Sequence, residues 1–176
     1  MKEKILLVDG YNMIAFWQET RQLFKKSELD AARTILLEKL SHYASFEGIR
    51  VICVFDAQYM PGIRQTYEEF QVQVVFTAEG ETADDYIERL AAELNTPLHQ
   101  VSVATSDLNE QWTVFAQGAL RVSARELEKR VAVVKADLNQ ARGAVNDQKP
   151  PIRPFDQEGL RQLQKEMGAS KCPLKF

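Results

Sequence analysis

Acidic residues stand directly after apolar, strand-like runs at three points in the chain. Asp9, Asp56 and Asp107 each follow such a run, and the pair Asp84-Asp85 opens a helical pattern that comes after another. In an open parallel sheet, ligands bind beyond the carboxyl ends of the strands, where the following helices also begin. We therefore expect these carboxyl groups to lie at one edge of the fold.

Carboxylates gathered in one crevice repel one another, and an unpaired buried charge costs several kcal/mol. Mg²⁺ and Mn²⁺ prefer oxygen ligands and would balance this charge. A bound ion of this kind lowers the pKa of water and orients it for attack on a phosphodiester. The sequence therefore predicts a Mg²⁺ or Mn²⁺ site whose candidate ligands are Asp9, Asp56, Asp84, Asp85 and Asp107.

Each acid also has a simpler explanation. Asp9 could cap a turn in which Gly10 supplies a positive φ, and Asp56 could be a strand-end turn residue. Asp84 could interact with a helix macrodipole, and Asp107 could be a helix N-cap. Capping alone explains the complete set less well than a shared site does.

Neutral and basic side chains could hold a phosphate beside these acids. Asn12 stands three residues after Asp9 and could orient water or a phosphate oxygen, or it could be a left-handed turn residue. Arg64, Arg121 and Arg125 are candidate RNA-binding residues, because arginine often binds phosphate in a bidentate manner. Arg125 could equally pair with a site acid. Segment 57–71, with its aromatic residues, could stack bases or form an ordinary Pro-Gly turn.

Apolar runs rich in β-branched residues alternate with helical patterns along the chain. This alternation predicts an α/β fold with a central, mainly parallel sheet covered by helices on both faces. The predicted strands are residues 5–8, 50–55, 71–76 and 101–104. The predicted helices start at Ser27, Thr82, Asp107 and Ser123, the third carrying Trp112 and Phe115 and the last opening with an S-x-x-E capping box. Residues 1–142 are expected to form the domain, and residues 143–176 a linker and tail with a short helix from about 156 to 167.

Composition excludes several other classes of protein. Hydrophobic residues make up 45% of the chain, and there are two cysteines and two histidines without a metal-binding spacing, which disfavours zinc sites and Cys/His catalysis. No apolar run suits a membrane span or a signal peptide, so we expect a cytoplasmic protein. Residues 1–120 hold 10 Lys/Arg and 18 Asp/Glu, whereas residues 121–176 hold 12 and 7. This asymmetry fits a metal site beside a phosphate-binding surface, or chance.

Four motifs occur in an order that resembles one known family. They are Asp9-Gly10-Tyr11-Asn12, Glu81-Thr82-Ala83-Asp84-Asp85, Ala104-Thr105-Ser106-Asp107 and the segment 118–127, GALRVSAREL. Together they resemble the YacP-like branch of the NYN domains over about residues 4–140. The resemblance implies a PIN-like α/β/α fold and a metal-dependent endoribonuclease. It also implies association with the ribosome and cleavage of messenger RNA.

The resemblance implies catalytic roles for Asp9, Asn12, Asp84 and Asp107, whereas Asp56 fits the second-strand acid of NYN domains. A non-catalytic ribosome- or RNA-binding module is the alternative, and it would not need this complete acidic set. A receiver-like domain would carry an acidic pair near the first strand, which is missing here. No G-x-G-x-x-G motif follows a strand, so we expect no nucleotide cofactor.

Overall fold

The computed structural model describes residues 2–57, 65–69, 71–107 and 118–147, with the backbone alone for 65–69 and 141–147. The chain divides into two compact units, Met1–Leu138 and Asn139–Phe176. All the functional residues discussed below lie in the first unit. Within the described residues, no helix has the length and apolar character needed to cross a membrane.

Within these described ranges, six strands form a single sheet in the order β3-β4-β2-β1-β5-β6. Five of them, from β4 to β6, are parallel, and β3 pairs with β4 in the antiparallel direction at one edge. The strands are β1 (Glu3–Asp9), β2 (Arg50–Phe55), β3 (Gln65–Glu69), β4 (Val72–Phe76), β5 (His99–Thr105) and β6 (Leu120–Ser123). The first strand of the chain is therefore the middle one of the five parallel strands.

In the described part of the chain, five helices connect or follow these strands. They are α1 (Gly10–Phe16), α2 (Gln18–Lys25), α3 (Leu29–Glu47), α4 (Ala83–Leu94) and α5 (Ala124–Asp147). Helices α1, α2, α3 and α5 pack on one face of the sheet and α4 on the other. The fold is the predicted three-layer α/β/α architecture with a mainly parallel sheet.

The two faces of β1 show why both helical layers are needed. Leu6 and Val8 belong to the core beneath α1, α3 and α5, whereas Ile5 and Leu7 belong to the core beneath α4. Successive side chains of a strand point to opposite faces, so a strand that is apolar throughout must be covered on both. This burial fixes β1, and with it the position of Asp9 at its end.

The local predictions were correct for the longer elements. All four predicted strands are present, and Thr82 and Ser123 accept the backbone N–H bonds expected of helix N-caps. Ser27 was wrongly predicted as an N-cap: it has a φ of 60°, and Glu28 precedes α3. The strands β3 and β6 and the helices α1 and α2 were not predicted.

Two predicted helices lie outside the described residues, namely the one carrying Trp112 and Phe115 and the short helix near the C-terminus. Helix α5 continues through Gly143 to Asp147, into the segment that was predicted to be a linker. The division of the domain at residue 142 stays a prediction.

Candidate active site

The carboxyl edge of the sheet carries the predicted acids. Asp9 is the last residue of β1, Asp56 directly follows β2, and Asp107 lies two residues beyond the end of β5. Because β1, β2 and β5 are parallel neighbours, these positions lie at the same edge. Asp84 and Asp85 occupy the first turn of α4.

Asp9 is the most buried of these acids, with 8% of its surface exposed. It is also the N-cap of α1, since its Oδ1 accepts a hydrogen bond from the backbone N–H of Asn12 at 3.2 Å. Asp9 is therefore a helix cap, as the simpler explanation proposed, but capping uses only part of its carboxyl group. The capping bond occupies one carboxyl oxygen, and the second is available for another interaction.

Gly10 does not supply the positive φ that the turn explanation assumed. It is the first residue of α1 and is not among the glycines with positive φ in the described residues. Its role is one of packing: a Cβ at this position would lie 2.3 Å from Cε1 of Phe55. The absence of a side chain lets α1 begin directly against the end of β2.

The carboxyl groups of Asp9 and Asp84 hydrogen-bond to each other, and this contact defines the centre of the site. The pKa of Asp9 is raised to about 7, chiefly by burial, with further contributions from the charge and hydrogen bond of Asp84 and the charge of Asp56. The hydrogen bond from Asn12 opposes this rise, and no Lys or Arg of the described residues is among the groups that shift the pKa. At neutral pH the pair therefore holds a proton or needs a cation in its place.

Asp56 is held by its neighbours in the backbone. The Thr77 N–H donates to the Phe55 carbonyl at 3.0 Å, and the Thr77 hydroxyl accepts from the Ala57 N–H at 2.9 Å. Thr77, which is buried, thus fixes the chain on both sides of Asp56. Sequence reasoning missed this residue, although its position directly after β4 was a signal.

Asn12 connects the ends of β1 and β5. Its Oδ1 accepts a hydrogen bond from the backbone N–H of Ser106 at 2.7 Å. A backbone N–H can only donate, so the oxygen must face Ser106 and the amide nitrogen is the group left for a ligand. The next residue, Asp107, donates its N–H to the Thr105 hydroxyl at 3.1 Å. Asn12 and the Thr-Ser-Asp motif, which were predicted separately, are therefore in contact.

The start of α4 is braced independently of the acids. Thr82 caps the helix by accepting the Asp85 N–H at 3.1 Å. Glu81 accepts the Ala78 N–H at 3.3 Å and pairs with Arg89 at 2.6 Å. These contacts hold the first turn of the helix and so position Asp84 against Asp9.

An aromatic cluster supports the edge from the α1 and α3 side. Phe55 contacts Tyr11 edge-on, with ring centroids 5.0 Å apart, and stacks on Phe76 at 5.4 Å. Arg33 donates to the Tyr11 hydroxyl at 2.7 Å and lies 5.7 Å from the centre of the Phe76 ring. Since Phe55 and Phe76 end their strands, this cluster fixes the backbone from which the site acids extend.

The three predicted phosphate-binding arginines have different positions. Arg125 is exposed in the first turn of α5 and forms no ion pair with an acid in the described part of the chain. Arg121 lies on β6, with Val103 as its partner on β5, and is exposed. Arg64 lies outside the described residues.

Among residues 2–57, 71–107 and 118–140, no three Asp, Glu, His or Cys side chains come close enough together to hold a metal ion. The structure brings Asp9 and Asp84 into contact and places Asp56 near enough to affect the pKa of Asp9. That Asp56, Asp85 and Asp107 also act as ligands stays a prediction.

A three-layer α/β/α fold with paired carboxyl groups at the carboxyl edge of its sheet is typical of PIN-like domains. The sequence model of the YacP-like NYN domain family matches residues 6–167. The chain therefore belongs to the YacP-like NYN domain family, and NYN domains are part of the PIN-like nuclease superfamily.

Relatives from Bacillus subtilis agree with this assignment. The YacP protein of strain 168 is 45% identical over 146 residues, which are 83% of this chain and 85% of that protein. The crystal structure of Rae1 (YacP) is 42% identical with a TM-score of 0.73, and the match covers 94% of this chain and 95% of that one. The crystal structure of a tryptophan-to-leucine mutant of Rae1 is 39% identical with the same TM-score, over 96% and 100% of the two chains.

Proposed function

We propose that this protein is a metal-dependent endoribonuclease that hydrolyses phosphodiester bonds of messenger RNA in association with the ribosome. The observation that carries the proposal is the contact of the buried Asp9 carboxyl group with the carboxyl group of Asp84. A purely structural role is a poor explanation for a buried carboxyl group held against a second one, because burial and the charge of Asp84 both disfavour the ionised form of Asp9. Membership of a nuclease superfamily supports the same conclusion.

The donor chemistry of the pair fits Mg²⁺ or Mn²⁺. Both ions prefer carboxylate oxygens. The raised pKa of Asp9 means that its carboxyl group tends to keep a proton, and a bound cation would replace this proton. Asp9 and Asp84 would hold the ion, and Asp56, Asp85 and Asp107 are the further candidate ligands. When bound, the ion would supply an activated water and stabilise the leaving oxygen.

The remaining site residues would bind and orient the RNA. The Oδ1 of Asn12 is engaged by Ser106, so its amide nitrogen can donate to a phosphate oxygen. Arg121 and Arg125 are exposed and could bind backbone phosphates, as could Arg64. These groups hold the substrate, whereas the acids act at the reacting phosphate.

Association with the ribosome is supported by the family resemblance and by the charge of the chain. The net charge is −3 and the pI is near 5.5. Contacts of basic residues with phosphates dominate the affinity of proteins for RNA, so an acidic protein is expected to bind free RNA weakly. A weak independent RNA binder would gain affinity from a larger partner that presents the RNA. We therefore expect cleavage to be faster on translated messenger RNA than on free RNA.

The test is cleavage of labelled RNA by the purified protein, with and without translating ribosomes, in Mn²⁺, Mg²⁺ or EDTA. We expect metal-dependent cuts that disappear in Asp9→Asn and Asp84→Asn and persist in Asp137→Asn, an exposed acid on α5. Equal cleavage with and without ribosomes would remove the ribosome from the proposal. Intact binding without cuts under any condition would favour the alternative, a non-catalytic ribosome- or RNA-binding module.

A further inference from the structure

A second feature is an open pocket of about 370 Å³ between the α1–α2 junction and the start of α5. This volume falls within the range of about 300–1,000 Å³ typical of small-ligand sites. Its lining residues are Ala15, Phe16, Gln18, Arg21, Arg125 and Glu128. Only Arg125 among these was a candidate from the sequence.

Two long-range hydrogen bonds hold the walls of the pocket together. The indole N–H of Trp17 donates to the Ala124 carbonyl at 3.1 Å in a buried contact. The Gln18 N–H donates to Oε1 of Glu128 at 2.9 Å. Because these bonds join the α1–α2 junction to α5, the pocket is part of the rigid fold and does not depend on a flexible loop.

The pocket carries an excess of positive charge. Arg21 and Arg125 both line it, and in the described part of the chain neither forms an ion pair. Glu128 is already engaged with the Gln18 N–H. Two guanidinium groups facing one space repel each other, and an anion between them would relieve that repulsion.

An exposed aromatic ring completes the pocket. Phe16 ends α1, and 38% of its surface is exposed, so part of its ring is accessible from the pocket side of the helix. An aromatic face next to arginines is the combination that holds a base and its phosphate in single-stranded RNA recognition. The chemistry of the lining therefore fits a nucleotide better than a free anion.

The helices α1 and α5, which contribute to the pocket, both begin at the edge of the sheet that carries the acidic pair. Helix α1 begins directly after Asp9 and ends at Phe16. On the other side, Ser123 precedes α5 and pairs in register with Thr105, next to the Ser106 that bonds to Asn12. RNA at the acidic pair would thus continue along α1 into the pocket.

We propose that this pocket binds one nucleotide of the RNA substrate next to the bond that is cut. Its phosphate lies between Arg21 and Arg125, and its base stacks on Phe16. The proposal rests on the proposed function, because it takes RNA as the substrate. It adds Phe16 and Arg21 as substrate-binding residues.

The test is the affinity of a short, 5′-labelled single-stranded oligoribonucleotide, measured by fluorescence anisotropy at several salt concentrations. All variants carry Asp9→Asn, so binding is measured without cleavage. We expect the double change Arg21→Ala and Arg125→Ala to weaken binding at least tenfold and to reduce the log–log salt slope by about 0.7 for each phosphate released. Lys129→Ala removes an exposed charge from the same helix outside the pocket, and it should leave the slope unchanged.

Phe16→Ala should weaken binding about tenfold without altering the salt slope, because stacking is not ionic. Phe16→Tyr should retain the affinity. A nucleoside monophosphate should compete with the oligoribonucleotide more strongly than inorganic phosphate. If inorganic phosphate competes equally and Phe16→Ala has no effect, the pocket binds only an anion and the nucleotide proposal is wrong.

Failure of this proposal can be separated from failure of the proposed function. The pocket proposal is wrong if its variants bind RNA as tightly as Lys129→Ala does, or if no RNA binds at low salt. Either result would count against it even if the wild-type protein cuts RNA. Loss of binding in the pocket variants would support it even if the wild-type protein cuts none. Thermal unfolding of each variant checks that the fold is intact.

Discussion

The carboxyl group of Asp84, in the first turn of α4, hydrogen-bonds to that of Asp9 at the end of β1. The two residues come from opposite sides of the site: Asp9 caps a helix on one face of the sheet, and Asp84 belongs to the helix that covers the other. The pair therefore forms only when both helical layers are in place. Because the two carboxyl groups are close together, the stability of the protein should depend on pH and on a bound cation.

The metal-free protein should lose stability as the pH rises from about 4 to about 7. Asp9 has a pKa of about 7 in the folded protein, against a usual value of 3.8. Between these values the folded state binds more protons than the unfolded state, so the free energy of unfolding falls with pH. The difference corresponds to on the order of 4 kcal/mol, since a tenfold change in proton affinity is worth about 1.4 kcal/mol.

Urea denaturation in EDTA at pH 5 and pH 8 measures this loss. Asp9→Asn cannot ionise at this position, so it should be more stable than the wild type at pH 8 and show a smaller change between the two pH values. Asp137→Asn, an exposed control, should behave as the wild type does. Equal pH dependence in all three proteins would show that burial of Asp9 has no energetic effect.

Saturating Mn²⁺ should raise the melting temperature of the wild-type protein at pH 8 by about 5 °C or more, because a ligand that binds only the folded state stabilises it. Asp9→Asn and Asp84→Asn should lose most of this increase, and Asp85→Asn should lose less. Adjacent residues of a helix point in directions about 100° apart, and Asp84 is the one that contacts Asp9. If Mn²⁺ raises the melting temperature of every variant equally, the ion binds at a site that does not include these acids.

Changes at Asn12 should separate its two functional groups. Asn12→Ala removes the acceptor for the Ser106 N–H and should cost about 1 kcal/mol of stability along with most of the cleavage activity. Asn12→Asp keeps an acceptor oxygen but has no amide donor, so it should also be largely inactive. Cleavage and urea denaturation are measured side by side. Near wild-type activity in Asn12→Asp would show that the amide donor is not needed.

Gly10→Ala should destabilise the protein by at least about 2 kcal/mol, because the added Cβ would overlap the Phe55 ring. Phe55→Leu removes that ring and should itself be destabilising, since Phe55 is fully buried. The double variant should be more stable than the sum of the two single changes predicts. Strict additivity would mean that the ring contact is not the reason for glycine at this position.

The acids of the site could be predicted because local patterns determine them. An apolar run that ends in Asp marks a strand end, and the parallel arrangement then brings Asp9, Asp56 and Asp107 to one edge. The placement of Asp84 at the same edge followed from the same argument, because α4 begins there, whereas its contact with Asp9 was not predicted. These positions depend only on periodicity and on the rules of parallel sheets.

The pocket could not be predicted because its supporting contacts are distant in sequence. Helix α2 begins after Trp17, which makes no side-chain capping bond, and the Gln18 N–H is instead satisfied by Glu128, 110 residues away. The sequence therefore had no capping pattern from which α2 could be predicted. Without that helix, Arg21 could not be recognised as a residue that lines the pocket. The strand β6 was missed for a related reason, since it has only four residues and two of them are exposed.

The order of the strands has a consequence for the protein during its own synthesis. Strand β1 is made first, yet it pairs with β2 on one side and with the much later β5 on the other. The hydrogen bond between Asn12 and Ser106 joins residues 94 positions apart. An emerging chain that ends before β5 therefore lacks the complete edge and should be inert. The nascent protein would then be unable to cut the message from which it is being translated until most of its own sequence has left the exit tunnel.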